Sequence, residues 1–215
     1  MENDFSSLFD EWSKTYDDTV RGADNEYRDV FLHYDAILEE VASRTGQSVL
    51  EFGVGTGNLS QKLLDQKKRV YGVEPSKEMR VIAQQKVPDL HVQKGHFLHF
   101  DVPTDQIDSI ISTYAFHHLT NNEKERAIGC FREVLDLKGN IIFADTMFVD
   151  ESAYKQAIEL AKTKGYHRLA EDLQEEFYTT IPVLRDMFEQ YHFDVTFKQM
   201  NAFVWIVEAV KGEFS

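Results

Sequence analysis

The sequence predicts an α/β fold: a seven-stranded, mostly parallel sheet with an antiparallel last strand and helices on both faces. Three observations point to it. An apolar run over residues 49–52 feeds a glycine turn, and a helical pattern opens at Asn58. Strand-length apolar runs then alternate with helical patterns as far as Asp145, which implies parallel strands joined by right-handed crossovers. The last two apolar runs, 192–199 and 202–210, leave no room for a helix between them, so they pair antiparallel.

In chain order, residues 5–43 read as two helices. Phe5, Leu8, Phe9 and Trp12 share one helical face, and Val30, Phe31, Tyr34, Ile37, Leu38 and Val41 share another. Thr15-Tyr16-Asp17-Asp18 lies between them, and Gly46 ends the second helix before strand one. Gly53, Gly55 and Gly57 alternate in the turn that follows, so a ligand can lie on bare backbone while the next helix aims its free N–H groups at it. Residues 69–73 fit a second parallel strand. Glu74 stands at its carboxyl end, Pro75 stops the strand, and Ser76 caps the next helix. An acid about 20 residues after a glycine turn is placed to accept hydrogen bonds from ribose hydroxyls. Residues 107–113 form a fourth strand leading into Tyr114-Ala115-Phe116-His117-His118-Leu119, and Thr120 with Glu123 makes a capping box for the following helix. Strand five covers 139–145. The stretch 147–180 is too long for a plain connection and carries two helical patterns, one through Ala153, Ala157, Ile158 and Leu160-Ala161, the other through Leu169, Leu173 and Phe177. An insertion at that edge either closes a lid over the ligand or is a packing elaboration away from it. A last helix starts near Pro182. The chain is thus read as one domain, 1–215: a helical N-terminal part (1–46), a ligand-binding core (47–146), the inserted lid (147–180), and a helix with the antiparallel strand pair (181–215).

Composition narrows the function. The formal net charge is −14, which repels phosphate backbones and anionic membrane surfaces alike. The start, Met1-Glu2-Asn3-Asp4, lacks the basic residues of a signal peptide, and no apolar run is long enough to span a bilayer. Cys130 is the only cysteine, so an internal disulfide is impossible, and a reducing cytoplasm is the expected compartment.

The glycine turn excludes one cofactor pattern and matches another. A dinucleotide fold wants G-x-G-x-x-G, and Asn58 occupies the place of its third glycine. The string E-x-G-x-G-x-G instead resembles motif I of the class I S-adenosylmethionine-dependent methyltransferases, a Rossmann-like family. The strings LEFGVGTGNL, YGVEPSKEMR, STYAFHHLT and FADT are most similar to the YrrT-like group of uncharacterised bacterial methyltransferases. The resemblance covers roughly residues 45–145 and implies S-adenosylmethionine as cofactor, with S-adenosylhomocysteine as product. In it, Glu51 orders the loop or meets the methionine amino group, and Gly53, Gly55 and Gly57, with Thr56 and Asn58, lie against methionine and ribose. Glu74, Pro75, Ser76 and Met79 flank ribose and adenine. His96 stands where the family places an acid for the adenine amino group, a departure that removes a fixed negative charge, and Phe97 follows as the apolar neighbour. Ser112, Thr113 and Tyr114, with Tyr16 from the Tyr-Asp step, line the sulfonium end.

A sulfonium cofactor supplies most of the driving force, so the protein must orient the acceptor and exclude water. A small-molecule acceptor fits the acidic surface. Arg21, Tyr114, Phe116 and His117 are the candidates to contact it, with His117 as general base where the acceptor carries a proton. His118 is expected to be a turn histidine satisfied by backbone groups, and for His117 that reading stands level with the base. Tyr16 and Tyr114 either turn their rings or oxygens to the sulfonium or simply pack. No metal site is expected: His91, His96, His99, His117 and His118 lack an ordered set of carboxylates nearby. Two other functions stay open, a non-catalytic S-adenosylmethionine or S-adenosylhomocysteine binding protein and an NAD-dependent oxidoreductase.

Overall fold

The computed structural model describes Ser13 and residues 15–212. The helix expected around Phe5 to Trp12 lies outside them. Two short helical turns, Tyr16–Asp18 and Thr19–Ala23, precede helix α1 (Tyr34–Arg44). The expected second N-terminal helix is therefore shorter than its apolar pattern. Val30 and Phe31 are buried in turns, and His33 adopts a left-handed φ of 67° that resets the chain before α1.

The sheet is built from β1 (Ser48–Phe52), β2 (Arg69–Glu74), β3 (His91–Lys94), β4 (Ile107–Thr113), β5 (Leu135–Phe148), β6 (Thr179–Thr180), β7 (Phe193–Gln199) and β8 (Val204–Lys211). Their order is β3-β2-β1-β4-β5-β8-β7. The first five strands run parallel, and β8 is antiparallel to both β5 and β7. This is the expected doubly wound sheet with one addition. β6 is an eighth strand of two residues, paired parallel to Met147 and Phe148. It escaped sequence reading because two residues carry no periodicity.

The crossovers are helices α2 (Asn58–Asp65), α3 (Lys77–Lys86), α4 (Asn121–Val134) and α7 (Ile181–Gln190); α5 (Glu151–Lys164) and α6 (His167–Glu175) occupy the segment between β5 and β6. Local chemistry sets their ends. Ser76 Oγ accepts from the Met79 N–H at 3.1 Å, and Thr120 and Glu123 close a reciprocal capping box.

β1 is buried along its whole length, as a central parallel strand between two helical layers should be. Side chains alternate between the layers. Val49 joins Val41, Leu59 and Leu63 on one face, while Leu50 and Phe52 join Phe131, Phe143 and Phe188 on the other. Phe52 stacks on Phe97 at 5.0 Å, and Phe143 meets Phe131 edge-on at 5.9 Å. Gly46 directly follows the α1 cap Thr45, as expected, and also serves close approach. Its backbone is pressed so near strand β4 that an added Cβ would sit 2.5 Å from Asp108 Cβ, and Asp108 Oδ2 accepts the Gln47 and Ser48 N–H groups at 2.9 Å each.

Phe143 has no exposed surface. Phe143→Ala should lower stability by about 3–5 kcal/mol through lost burial and a cavity. Urea unfolding tests this, and a midpoint within error of wild type would show that the aromatic cluster is not the core's main support.

Candidate active site

The turn between β1 and α2 begins where Gly53 N–H bonds the Val73 carbonyl at 2.9 Å. Gly53 has φ 68°, and a Cβ there would lie 2.7 Å from Ala115 Cβ. Gly55 has φ 56°, and a Cβ on it would meet open space. The first glycine thus admits the β4 loop, and the second presents bare backbone. Glu74, buried at the end of β2, holds the turn in place. Its Oε2 accepts from Gly55 N–H at 2.9 Å and its Oε1 from Ser76 N–H at 2.8 Å. Glu51, two residues before the turn, is fully buried and accepts the Ser60 hydroxyl at 2.5 Å, joining β1 to α2. Burial pushes its carboxyl up to about 8, and the nearby Glu74 adds to the shift.

The N-terminal segment lies against this turn. Asp17 accepts hydrogen bonds from the Thr56 hydroxyl at 2.6 Å and the Asn58 amide at 3.1 Å, and it pairs with Lys86 at 2.7 Å. Tyr34 accepts from the same Asn58 amide at 3.2 Å. Around it the rings of Tyr16, Phe31, Tyr34 and Tyr114 form one aromatic group; Phe31 lies 5.0 Å and Tyr34 5.7 Å from Tyr114. Tyr114 holds a left-handed φ of 54° and its N–H bonds Ala144 carbonyl. Its hydroxyl and the Ser112 hydroxyl are buried without hydrogen-bond partners. Unmatched buried hydroxyls are costly, and that of Ser112 lies 3.9 Å from where a Cβ on Gly53 would stand.

A third group sits at the carboxyl ends of β4 and β5. His117 and His118 occupy the 3₁₀ turn Phe116–His118. Asp145 on β5 accepts His117 Nδ1–H at 2.7 Å and the His117 backbone N–H at 2.9 Å. Burial opposes charge on both partners, but their attraction prevails: His117 is raised above its ordinary value and Asp145 is held below its own. His118 bonds Glu176 at 2.9 Å, which corrects the expectation of a backbone-satisfied turn histidine. Burial and the neighbouring His117 hold His118 below its usual value. The Tyr178 ring stacks on His117 at 4.9 Å.

The other expected site residues fall as follows. Thr56 and Met79 are buried beside the turn and at the start of α3, Pro75 lies between Glu74 and Ser76, and Thr113 ends β4. Phe97 and Phe116 are buried: they meet each other at 5.4 Å, Phe97 stacks on Phe52 and Phe116 contacts Phe143. His96 forms a bridge with His99, their backbones exchanging two bonds of 2.9 Å. Arg21 is exposed in the Thr19–Ala23 turn, and none of the described site residues bonds it.

Residues 49–139 match the methyltransferase domain family. An uncharacterised methyltransferase of Bacillus cytotoxicus is 53% identical over 98% of this chain and 100% of its own length, and another from Bacillus cereus matches equally. The chain belongs to this methyltransferase family. Among solved structures, the magnesium protoporphyrin IX methyltransferase of Synechocystis with bound S-adenosylmethionine is similar at TM-score 0.68 and 17% identity, covering 99% of each chain. Human N-acetylserotonin methyltransferase is similar at TM-score 0.70 and 15% identity, over 99% of this chain and 60% of its own. These two speak for a shared fold.

Sequence reasoning on this methyltransferase overlooked Asp17, Lys86, Asp145 and Glu176. Two had a signal. Asp17 belongs to the Tyr-Asp step, and Asp145 ends an apolar strand in Phe-Ala-Asp-Thr. Lys86 and Glu176 had none, because their partners are brought together only by folding.

Glu51 gives a pH prediction. Its folded value of about 8 lies above its ordinary 4.5, so the native state holds the proton more firmly. Its contribution is favourable below 4.5 and is lost as pH rises toward 8. Glu51→Gln should therefore gain stability relative to wild type as pH rises through that window, measured by urea unfolding at several pH values; a constant difference would contradict it.

Proposed function

We propose that this methyltransferase carries the methyl group of S-adenosylmethionine to a small-molecule acceptor and releases S-adenosylhomocysteine. The observation that carries the reading is Glu74 standing across the bare turn at Gly55, which puts a carboxylate beside the backbone on which ribose hydroxyls would lie. The orphan hydroxyls of Ser112 and Tyr114 support it by offering hydrogen bonds to polar atoms of the same ligand. When bound, S-adenosylmethionine supplies an electrophilic methyl on its sulfonium for in-line displacement. Gly53, Gly55, Gly57, Thr56, Asn58 and Glu51 shape the cradle, Ser76 and Met79 flank it with Pro75, and Tyr16, Tyr114, Ser112 and Thr113 border the reacting end. His96 is kept as the adenine-side candidate and Arg21 as an acceptor-side candidate.

We take the acceptor to be small, a reading supported by the net charge of −14, and the compartment to be the cytoplasm, a reading supported by the lone Cys130; α5 and α6 are assigned as the lid. Among the described residues no helix is long and apolar enough to cross a membrane. Within the family we assign the chain to the YrrT-like group, a reading supported by the strings LEFGVGTGNL and STYAFHHLT. His117, oriented through Nδ1 by Asp145, takes the acceptor's proton where there is one.

Calorimetric titration with S-adenosylmethionine, S-adenosylhomocysteine and NAD tests the cofactor. Micromolar binding of the first two is expected, lost in Gly53→Val, where the Cβ would collide with Ala115, and weakened at least tenfold in Glu74→Ala. Binding of NAD alone would overturn the reading, and binding without transfer to any acceptor would leave a non-catalytic binding protein.

The His117–Asp145 pair sets a pH profile. A base works unprotonated, and Asp145 raises His117, so the rate should climb with pH through a midpoint above the ordinary 6.5. Asp145→Asn removes the carboxylate, which should shift that midpoint down while lowering the plateau. A pH profile unmoved by this substitution would remove His117 from proton transfer.

A further inference from the structure

The proton-transfer reading uses one of two histidine–carboxylate pairs and leaves the other idle. The two pairs are adjacent. The His117 and His118 rings have centroids 4.1 Å apart, and one ligand-type atom from each of His117, His118 and Glu176 falls within a sphere where all lie within 4.8 Å of one another. We propose that His117, His118 and Glu176 bind a divalent transition-metal cation of the zinc type.

Four features support a metal site here. The donor set, two imidazoles and one carboxylate, suits zinc and its neighbours in the first transition row. It is also a three-ligand set, which leaves a coordination position for water or an acceptor. His117 is oriented by an outer carboxylate, with Asp145 accepting its Nδ1–H at 2.7 Å and freeing the other ring nitrogen for a metal. The three side chains are only partly covered, at 12%, 15% and 19% exposure, so an ion has a way in.

The turn explains how consecutive histidines come to share one ion. Successive residues of a strand point to opposite faces, whereas in the turn Phe116–His118 the two rings lie with centroids 4.1 Å apart. Glu176 is delivered from the end of α6, where the next residue, Phe177, bonds the His117 carbonyl at 3.0 Å. The nearby cation Lys124 is anchored elsewhere, its ammonium donating to the Leu119 and Phe177 carbonyls at 2.5 Å each.

An ion on the free nitrogen of His117 would displace the proton that a base must accept, so cation binding and base catalysis exclude one another at this residue. Metal binding can therefore be tested without any assay of methyl transfer.

The test is calorimetric titration of the chelator-stripped, redialysed full chain with Zn²⁺, alongside Co²⁺ absorption spectra. One equivalent of Zn²⁺ is expected, with visible Co²⁺ bands typical of four or five ligands. His118→Ala and Glu176→Gln should each weaken binding at least tenfold, and Asp145→Asn, which leaves the three ligands in place, about 10–100-fold. The absence of stoichiometric binding, or equal affinity in wild type and both ligand variants, would overturn the site. Should the variants fail to fold, histidine ring NMR of the wild-type chain decides. Zn²⁺ must shift the signals of two rings in mutual contact; shifts confined to other histidines overturn the proposal.

Discussion

The site depends on one steric constraint, the close approach of backbones at the carboxyl end of β1. β1 sits between β2 and β4, and the helices leaving β1 and β4 go to opposite faces: Leu59 and Leu63 of α2 pack in one layer, Ile128 and Phe131 of α4 in the other. Where consecutive crossovers diverge in this way, a crevice opens at the strand ends. Gly53 brings the β1 turn against Ala115 within that crevice, at a separation that excludes any side chain. Glu74 then fixes the far side of the turn by accepting two backbone N–H groups. Removing the approach would separate the two strand ends, and with them the cofactor cradle from the histidine pair.

Three acids are buried along this edge, and each avoids an isolated charge in its own way. Glu51 takes a proton, since burial raises it to about 8 and a single hydroxyl is its partner. Glu74 stays among backbone donors at a helix start, where amide dipoles favour an anion. Asp145 is paired with His117 and also accepts the Thr146 N–H at 2.8 Å. Unpaired buried charge is prohibitive, and these devices keep acidic groups at the mouth of the sheet without it. The result is a polar rim over an aromatic core that includes Phe97 and Phe116.

The parts of the fold readable from sequence are those governed by local rules. Glycine alternation marked the turn, Ser76 and Thr120 marked helix starts, and a missing crossover marked the antiparallel β7–β8 pair. Features that arise from long-range contact were hidden. Glu176 follows His118 by 58 residues and meets it only because α6 folds back over the 3₁₀ turn. The left-handed conformation of Tyr114, held by the Ala144 carbonyl, has no signature in a strand-like run. His33 likewise interrupts an apolar pattern that reads as continuous helix from Val30 to Val41.

The N-terminal segment supplies the remaining physical link, between the cradle and access to it. Asp17 bridges Thr56, Asn58 and Lys86 where the turn enters α2, so it ties the N-terminal segment to the cradle. The Lys86–Asp17 pair is about 30% exposed on each side, and ion pairs in that setting contribute only about 0–1 kcal/mol. The aromatic contacts of Phe31 and Tyr34 with Tyr114 are better shielded and hold the following stretch more firmly. Stability is therefore graded along the segment, weakest at the polar bridge and strongest at the rings.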